Sequence, residues 1–114
     1  MGDFMKRFLS LIAAAAALAA GGPAAAYDAM ADAKITLIEL TYMPQSIVFQ
    51  ADRTIGSCAQ GSMLVWTPQG ATQTAKDQNA QAVLAAMMTA KVTGASMRLF
   101  VVNAGCTVQY IYLL

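Results

Sequence analysis

The sequence predicts a mainly β domain with one helix, carried behind an N-terminal export leader, and three observations predict it. Short apolar-alternating runs bounded by Gly and Pro recur along the chain, and one stretch from Asp77 to Thr93 has helical apolar spacing. Two cysteines, Cys58 and Cys106, stand far apart behind a positively charged, apolar N-terminus.

The leader comes first. Lys6 and Arg7 form its positive region, Phe8 to Ala20 is apolar apart from Ser10, and Gly21-Gly22-Pro23 breaks that run. Ala24-Ala25-Ala26 then offers small residues where signal peptidase reads them, which places the cut after Ala26. An uncleaved anchor fits less well, because an apolar run of about 13 residues falls short of the roughly 20 that span a bilayer. The expected organisation is a signal peptide over residues 1–26 and one domain over residues 27–114. The domain is then periplasmic or secreted, with no stable membrane anchor after cleavage.

Cleavage changes the charge. The whole chain has 7 basic and 6 acidic residues; Lys6, Arg7 and Asp3 leave with the leader, so the domain is neutral. A neutral domain has no electrostatic case for nucleic acid. About 88 residues make one small domain with a thin core, which a covalent staple would help. An even cysteine count in an exported chain predicts a Cys58–Cys106 disulfide. Two thiols in a chain without His do not make an ordinary zinc site, and their separation is far from a C-x-x-C redox pair.

The elements follow in order. Tyr27 to Ala33 reads as a disordered lead or one helical turn. Ile35 to Tyr42 reads as a strand with Ile38, Leu40 and Tyr42 on one face, and Met43-Pro44-Gln45-Ser46 as the turn into a second strand, Ile47 to Gln50. Asp52 to Ser62 is a loop, Met63 to Thr67 a third strand that Pro68 stops, and Pro68 to Gln78 a polar surface loop. Asp77 is the expected helix N-cap, with Ala80, Val83, Leu84, Met87, Met88 and Lys91 on the apolar stripe and Gly94 at the C′ position. The remaining helix positions Ala82, Ala85, Ala86, Thr89 and Ala90 are small, which suits a second packing partner or reflects the helix preference of alanine in an Ala-rich chain. Met97 to Asn103 and Val108 to Leu114 are the last two strands, joined at Ala104-Gly105, with Arg98 an edge or outward charge.

Strand, strand, strand, helix, strand, strand is the element order of the OB-fold, a five-stranded Greek-key barrel. In that barrel strands three and five run side by side and parallel, which brings the segments holding Cys58 and Cys106 together. A sandwich and a split βαβ arrangement stay open as alternatives, because element order alone does not fix topology.

Cys58 with Trp66 downstream, the run Asn79 to Ala90, Gly94, the strand Met97 to Val101 and Gly105-Cys106 together resemble small secreted bacterial proteins. These are related to the receptor-binding B subunits of AB-type toxins, the subtilase cytotoxin B subunit in particular. The resemblance covers most of the mature chain in pattern and spacing. It implies an OB-fold, a disulfide, a homo-oligomeric ring of five copies with the helices at its centre, and glycan binding on the outside.

The chain has no His, which excludes Ser-His and Cys-His nucleophiles. Asp28, Asp32, Glu39, Asp52 and Asp77 are scattered over different elements, and no phosphate loop, metal motif or cofactor motif is present. The expectation is therefore a non-enzymatic binding module without cofactor or metal, meeting a cell-surface glycan or an exported partner protein. Tyr42, Gln45 and Trp66 are its candidate ligand contacts, with Tyr42 and Trp66 also readable as core. The alternative is a structural or assembly protein that oligomerises through its helix and strand edges.

Overall fold

The computed structural model describes residues 26–114, and within them six strands form one curled, open mixed sheet, a half-barrel, with a single α-helix against it. The strands are β1 (Ala29–Ala33), β2 (Ile35–Glu39), β3 (Ile47–Ala51), β4 (Leu64–Trp66), β5 (Met97–Val102) and β6 (Thr107–Leu113). The helix, α1, is Gln73–Thr93. The sheet order is β1-β5-β6-β4-β3-β2. Every neighbouring pair is antiparallel except β4 and β6, which run parallel with Val65 beside Thr107 and Trp66 beside Val108. The leader expected over residues 1–26 lies, apart from Ala26, outside the described residues.

The two edge strands of this sheet are consecutive in the chain, separated by Lys34 alone. A clasp holds the bend between them: the Lys34 N–H donates to Asp52 Oδ1 at 2.8 Å, and the Asp52 N–H donates to the Lys34 carbonyl at 3.0 Å. Residues 29–33 are therefore neither disordered nor helical. They pair with β5 from Ala29–Val101 to Ala33–Met97. Three alanines in the run lower its intrinsic strand preference, and tertiary pairing overrides it.

The first expected strand is also shorter than its apolar pattern. The register shifts between Ile35 and Leu37, leaving Thr36 as an extra residue, so Ile35 is buried and Ile38 stands opposite buried Phe49. Such a bulge re-phases every later side chain. β2 ends at Glu39, and Leu40 and Tyr42 lie exposed in the turn instead of on a core face.

The helix starts earlier than Asp77. Thr72 is the N-cap, its Oγ1 accepting from the Ala75 N–H at 3.1 Å, which satisfies one of the orphan donors of a first turn. Gln73, Thr74 and Lys76 are exposed there, so this turn is set by capping and carries no apolar signal. Asp77 instead accepts from Gln73 Nε2 at 2.8 Å, one helical turn back. Gly94 ends the helix in the left-handed region at φ 74°, which favours glycine at C′. The buried stripe is Ala80, Met87 and Ala90, with Val83, Leu84 and Ala86 half-buried. Met88 and Lys91, expected on that stripe, face solvent.

The core lies between the concave sheet face and α1, which packs on β2 and β6. Phe49, Ile47, Met87, Leu99 and Val101 are fully enclosed, each contributing about 1.5–3 kcal/mol by leaving water. Cys58 and Cys106 form the disulfide, with Cα atoms 5.9 Å apart. It sits at the head of the parallel β4–β6 ladder, where the sequence places it. No polar side chain among the described residues is buried without a partner.

Candidate functional site

The three candidate ligand contacts do not form one surface. Trp66 is 5% exposed and belongs to the core, because it ends β4 on the inward side, opposite buried Ile47. Its indole N–H donates to Asn79 Oδ1 at 3.0 Å, and that oxygen also accepts from the Gln69 N–H at 3.0 Å. Tyr42 and Gln45 are exposed on the β2–β3 turn, which closes with the Gln45 N–H on the Tyr42 carbonyl at 2.9 Å. The turn contains a cis Met43–Pro44 bond.

A different surface gathers the aromatic residues. On β5, Met97, Leu99 and Val101 point inward, so Arg98 and Phe100 point out. On β6 the register shifts at Gln109, so Val108 opposes Val101 inside while Tyr110 opposes Phe100 and Tyr112 opposes Arg98 outside. β1 adds Met30 beside Phe100 and Asp32 beside Arg98. Two cross-strand rows result on the outer face: Met30–Phe100–Tyr110 and Asp32–Arg98–Tyr112. Tyr27, just before β1, closes over the first row.

The rings meet edge to face. Phe100 lies 4.8 Å from Tyr27, 5.7 Å from Tyr110 and 5.1 Å from Tyr112 between ring centroids, and Tyr27 lies 6.3 Å from Tyr110. Such pairs are worth about 0.5–1.5 kcal/mol each beyond their area, enough to hold the rings in register. Met30, Tyr110 and Tyr112 remain about half exposed. Rings held this way on a hydrogen-bonded sheet form a pre-organised apolar surface, which costs little ordering entropy on binding.

One ion pair borders the patch. Arg98 Nε donates to Asp32 Oδ1 at 2.8 Å and Nη2 to Oδ2 at 3.1 Å, a two-pronged fork. Hydrogen bonding from Arg98, aided by its charge and against partial desolvation, holds the Asp32 carboxyl below the ordinary carboxylate range. The same bond holds the Arg98 guanidinium above its ordinary value. The Asp32 carboxylate offsets the Arg98 charge, so the pair as a whole is close to neutral.

The other carboxylate side chains among the described residues are engaged in structure. Asp28 accepts from the Asn103 N–H, Glu39 from the Thr41 N–H, Asp52 from the Lys34 N–H and Asp77 from Gln73. Among the described residues no cluster of metal-ligating side chains and no cleft is present. No described helix is long and apolar enough to cross a membrane. The outer face of α1, by contrast, carries exposed Ala82, Ala85, Met88, Thr89 and Val92 and no charge between Asp77 and Lys91.

Sequence reasoning missed the aromatic face, although one signal was present. Once Arg98 is placed outward, the two-residue period of a strand sends Phe100 outward with it. No family model, no curated protein and no solved structure matches the chain.

Proposed function

We propose that this chain is an exported, non-enzymatic binding module that engages a neutral glycan on the outer face of β1, β5 and β6. The observation that carries this reading is the half-exposed cluster of Tyr27, Phe100, Tyr110 and Tyr112 bordered by the Asp32–Arg98 fork. The C–H faces of a pyranose pack on aromatic rings, while tyrosine hydroxyls and a fixed carboxylate–guanidinium pair exchange hydrogen bonds with sugar hydroxyls. With Arg98 already paired, the surface favours uncharged sugars over acidic ones. Export is supported by the leader and by the disulfide, which belongs to an oxidising compartment. The non-enzymatic reading rests on the absence of His and on the structural engagement of every carboxylate in residues 27–114.

The strand order supports an OB-fold assignment. Leaving β1 aside, β2-β3-β4-β6-β5 is the neighbour order of a five-stranded OB barrel. In this reading β1 and β2 are one first strand bent at Lys34, which pairs with β3 on one side and β5 on the other. Kinship with toxin B subunits remains part of the proposal through the spacing of Cys58, Trp66, the helix and Cys106.

A second reading, an assembly protein or ring such as a pentamer, is favoured by the uncharged outer face of α1, where Val92 is 86% exposed. A glycan array probed with the wild-type domain and with the Tyr110→Ala/Tyr112→Ala variant tests the first reading. Signal on neutral glycans that the variant loses supports it. Light scattering after size-exclusion chromatography tests the second. A blank array together with a clean monomer would sink both.

A further inference from the structure

We propose that the leader is removed from the unfolded chain, and that folding before the cut makes the precursor resistant to it. This rests on the export reading and on how closely the fold begins behind Ala26. Tyr27, the first residue after the expected cut, already packs edge-to-face on Phe100 at 4.8 Å. Asp28 is fastened twice: its N–H donates to the Val101 carbonyl at 2.9 Å, and its Oδ2 accepts from the Asn103 N–H at 2.8 Å. β1 begins at the next residue and is paired to β5 along its whole length. No spacer separates the scissile bond from the first fastened residue.

A peptidase binds its substrate as an extended segment on both sides of the bond it cuts. In the folded domain the backbone on the C-terminal side is already committed to β5, and Tyr27 is held against the sheet face. Cutting therefore requires β1 to open, and proteolysis of a folded chain follows the population of such openings. Once the cut is made first, the same contacts close over the new N-terminus.

The test uses the full-length precursor in detergent, folded with its disulfide intact or unfolded in urea and refreshed into the assay, with purified bacterial signal peptidase. Mass spectrometry follows the cut and its position. The expected result is cleavage after Ala26 in the unfolded precursor and at least about tenfold slower cleavage in the folded one. Inserting a Gly/Ser spacer of about four residues between Ala26 and Tyr27 restores cleavage of the folded form. Equal rates for folded and unfolded wild-type precursor overturn the proposal and leave the export reading standing, as does slow cleavage that persists with the spacer. An unfolded precursor that is not cut near Ala26 overturns both.

Discussion

Trp66 on β4 and Asn79 on α1 are joined by a 3.0 Å hydrogen bond that ties the sheet to the helix. Asn79 Oδ1 also holds the Gln69 N–H, so one oxygen fixes the indole, the helix and the loop between them. Replacing Asn79 with Ala strands a buried indole donor, which costs about 1–3 kcal/mol. Asn79→Asp keeps an acceptor and retains most of that stability. Trp66 is the single tryptophan, so urea unfolding followed by its fluorescence reports the change directly. An unaltered midpoint in Asn79→Ala would show the bond to be incidental.

The disulfide joins residues 48 apart. On the chain-entropy model, closing a loop of that length stabilises by about 4 kcal/mol. For a domain this small, that is a large share of typical stability. The Cys58→Ala/Cys106→Ala variant is expected to unfold at much lower urea than the oxidised wild type. Reduced wild type should track the variant; if both match the oxidised protein, the staple contributes nothing.

The Asp32–Arg98 fork gives stability a pH dependence of known sign. Asp32 is held below its ordinary range in the folded state, so the fork's contribution is complete above the unfolded carboxylate value, about 3.9. It is lost as pH falls through the lower folded value. Both side chains are about four-tenths exposed, so the effect is modest and screened by salt. Wild type is expected to melt above Asp32→Asn at neutral pH, with the difference closing in strong acid. A difference that widens on acidification contradicts the assignment.

Two glycines separate backbone strain from contact. Gly56 and Gly61 have φ of 58° and 84°, where any other residue is strained. A Cβ at Gly61 meets nothing, whereas one at Gly56 falls on Asn103 Oδ1 and lies 2.9 Å from Ala29 Cβ. That Asn103 oxygen is occupied, accepting from the Ser57 N–H at 3.0 Å. Gly61→Ala should therefore cost about 1 kcal/mol, and Gly56→Ala more, about 2–3 kcal/mol, through strain and the lost bond. Equal denaturation midpoints for the two variants would remove the contact argument.

What the sequence made legible follows from where each signal is stored. The cysteine pairing and the parallel neighbours β4 and β6 were readable because the element order and the positions of the two cysteines just before those strands constrain them together. Gly94 was readable because a left-handed residue ends a helix locally. The helix start was not, since Thr72 to Lys76 are polar apart from Ala75 and the turn is held by a cap. β1 was invisible in Ala29 to Ala33 because its partner, β5, lies far along the chain. The aromatic face needed β1 and the shift at Gln109, two tertiary facts, before Tyr27, Phe100, Tyr110 and Tyr112 could be seen as neighbours. Trp66 was readable both as core and as ligand contact, because an aromatic in a short strand is placed only once its cross-strand partner, here buried Ile47, is known.

The pairing of β1 with β5 also fixes an order in time. Asp32 and Arg98 are 66 residues apart, and a growing chain adds about 5–20 residues per second. The first strand therefore waits several seconds without its partner, longer if passage across a membrane is slower than synthesis. During that interval residues 27–33 cannot join the sheet, however well suited their side chains are. Topology thus reserves a period in which the N-terminal segment is open to other enzymes, and that period ends when Met97–Val102 arrives.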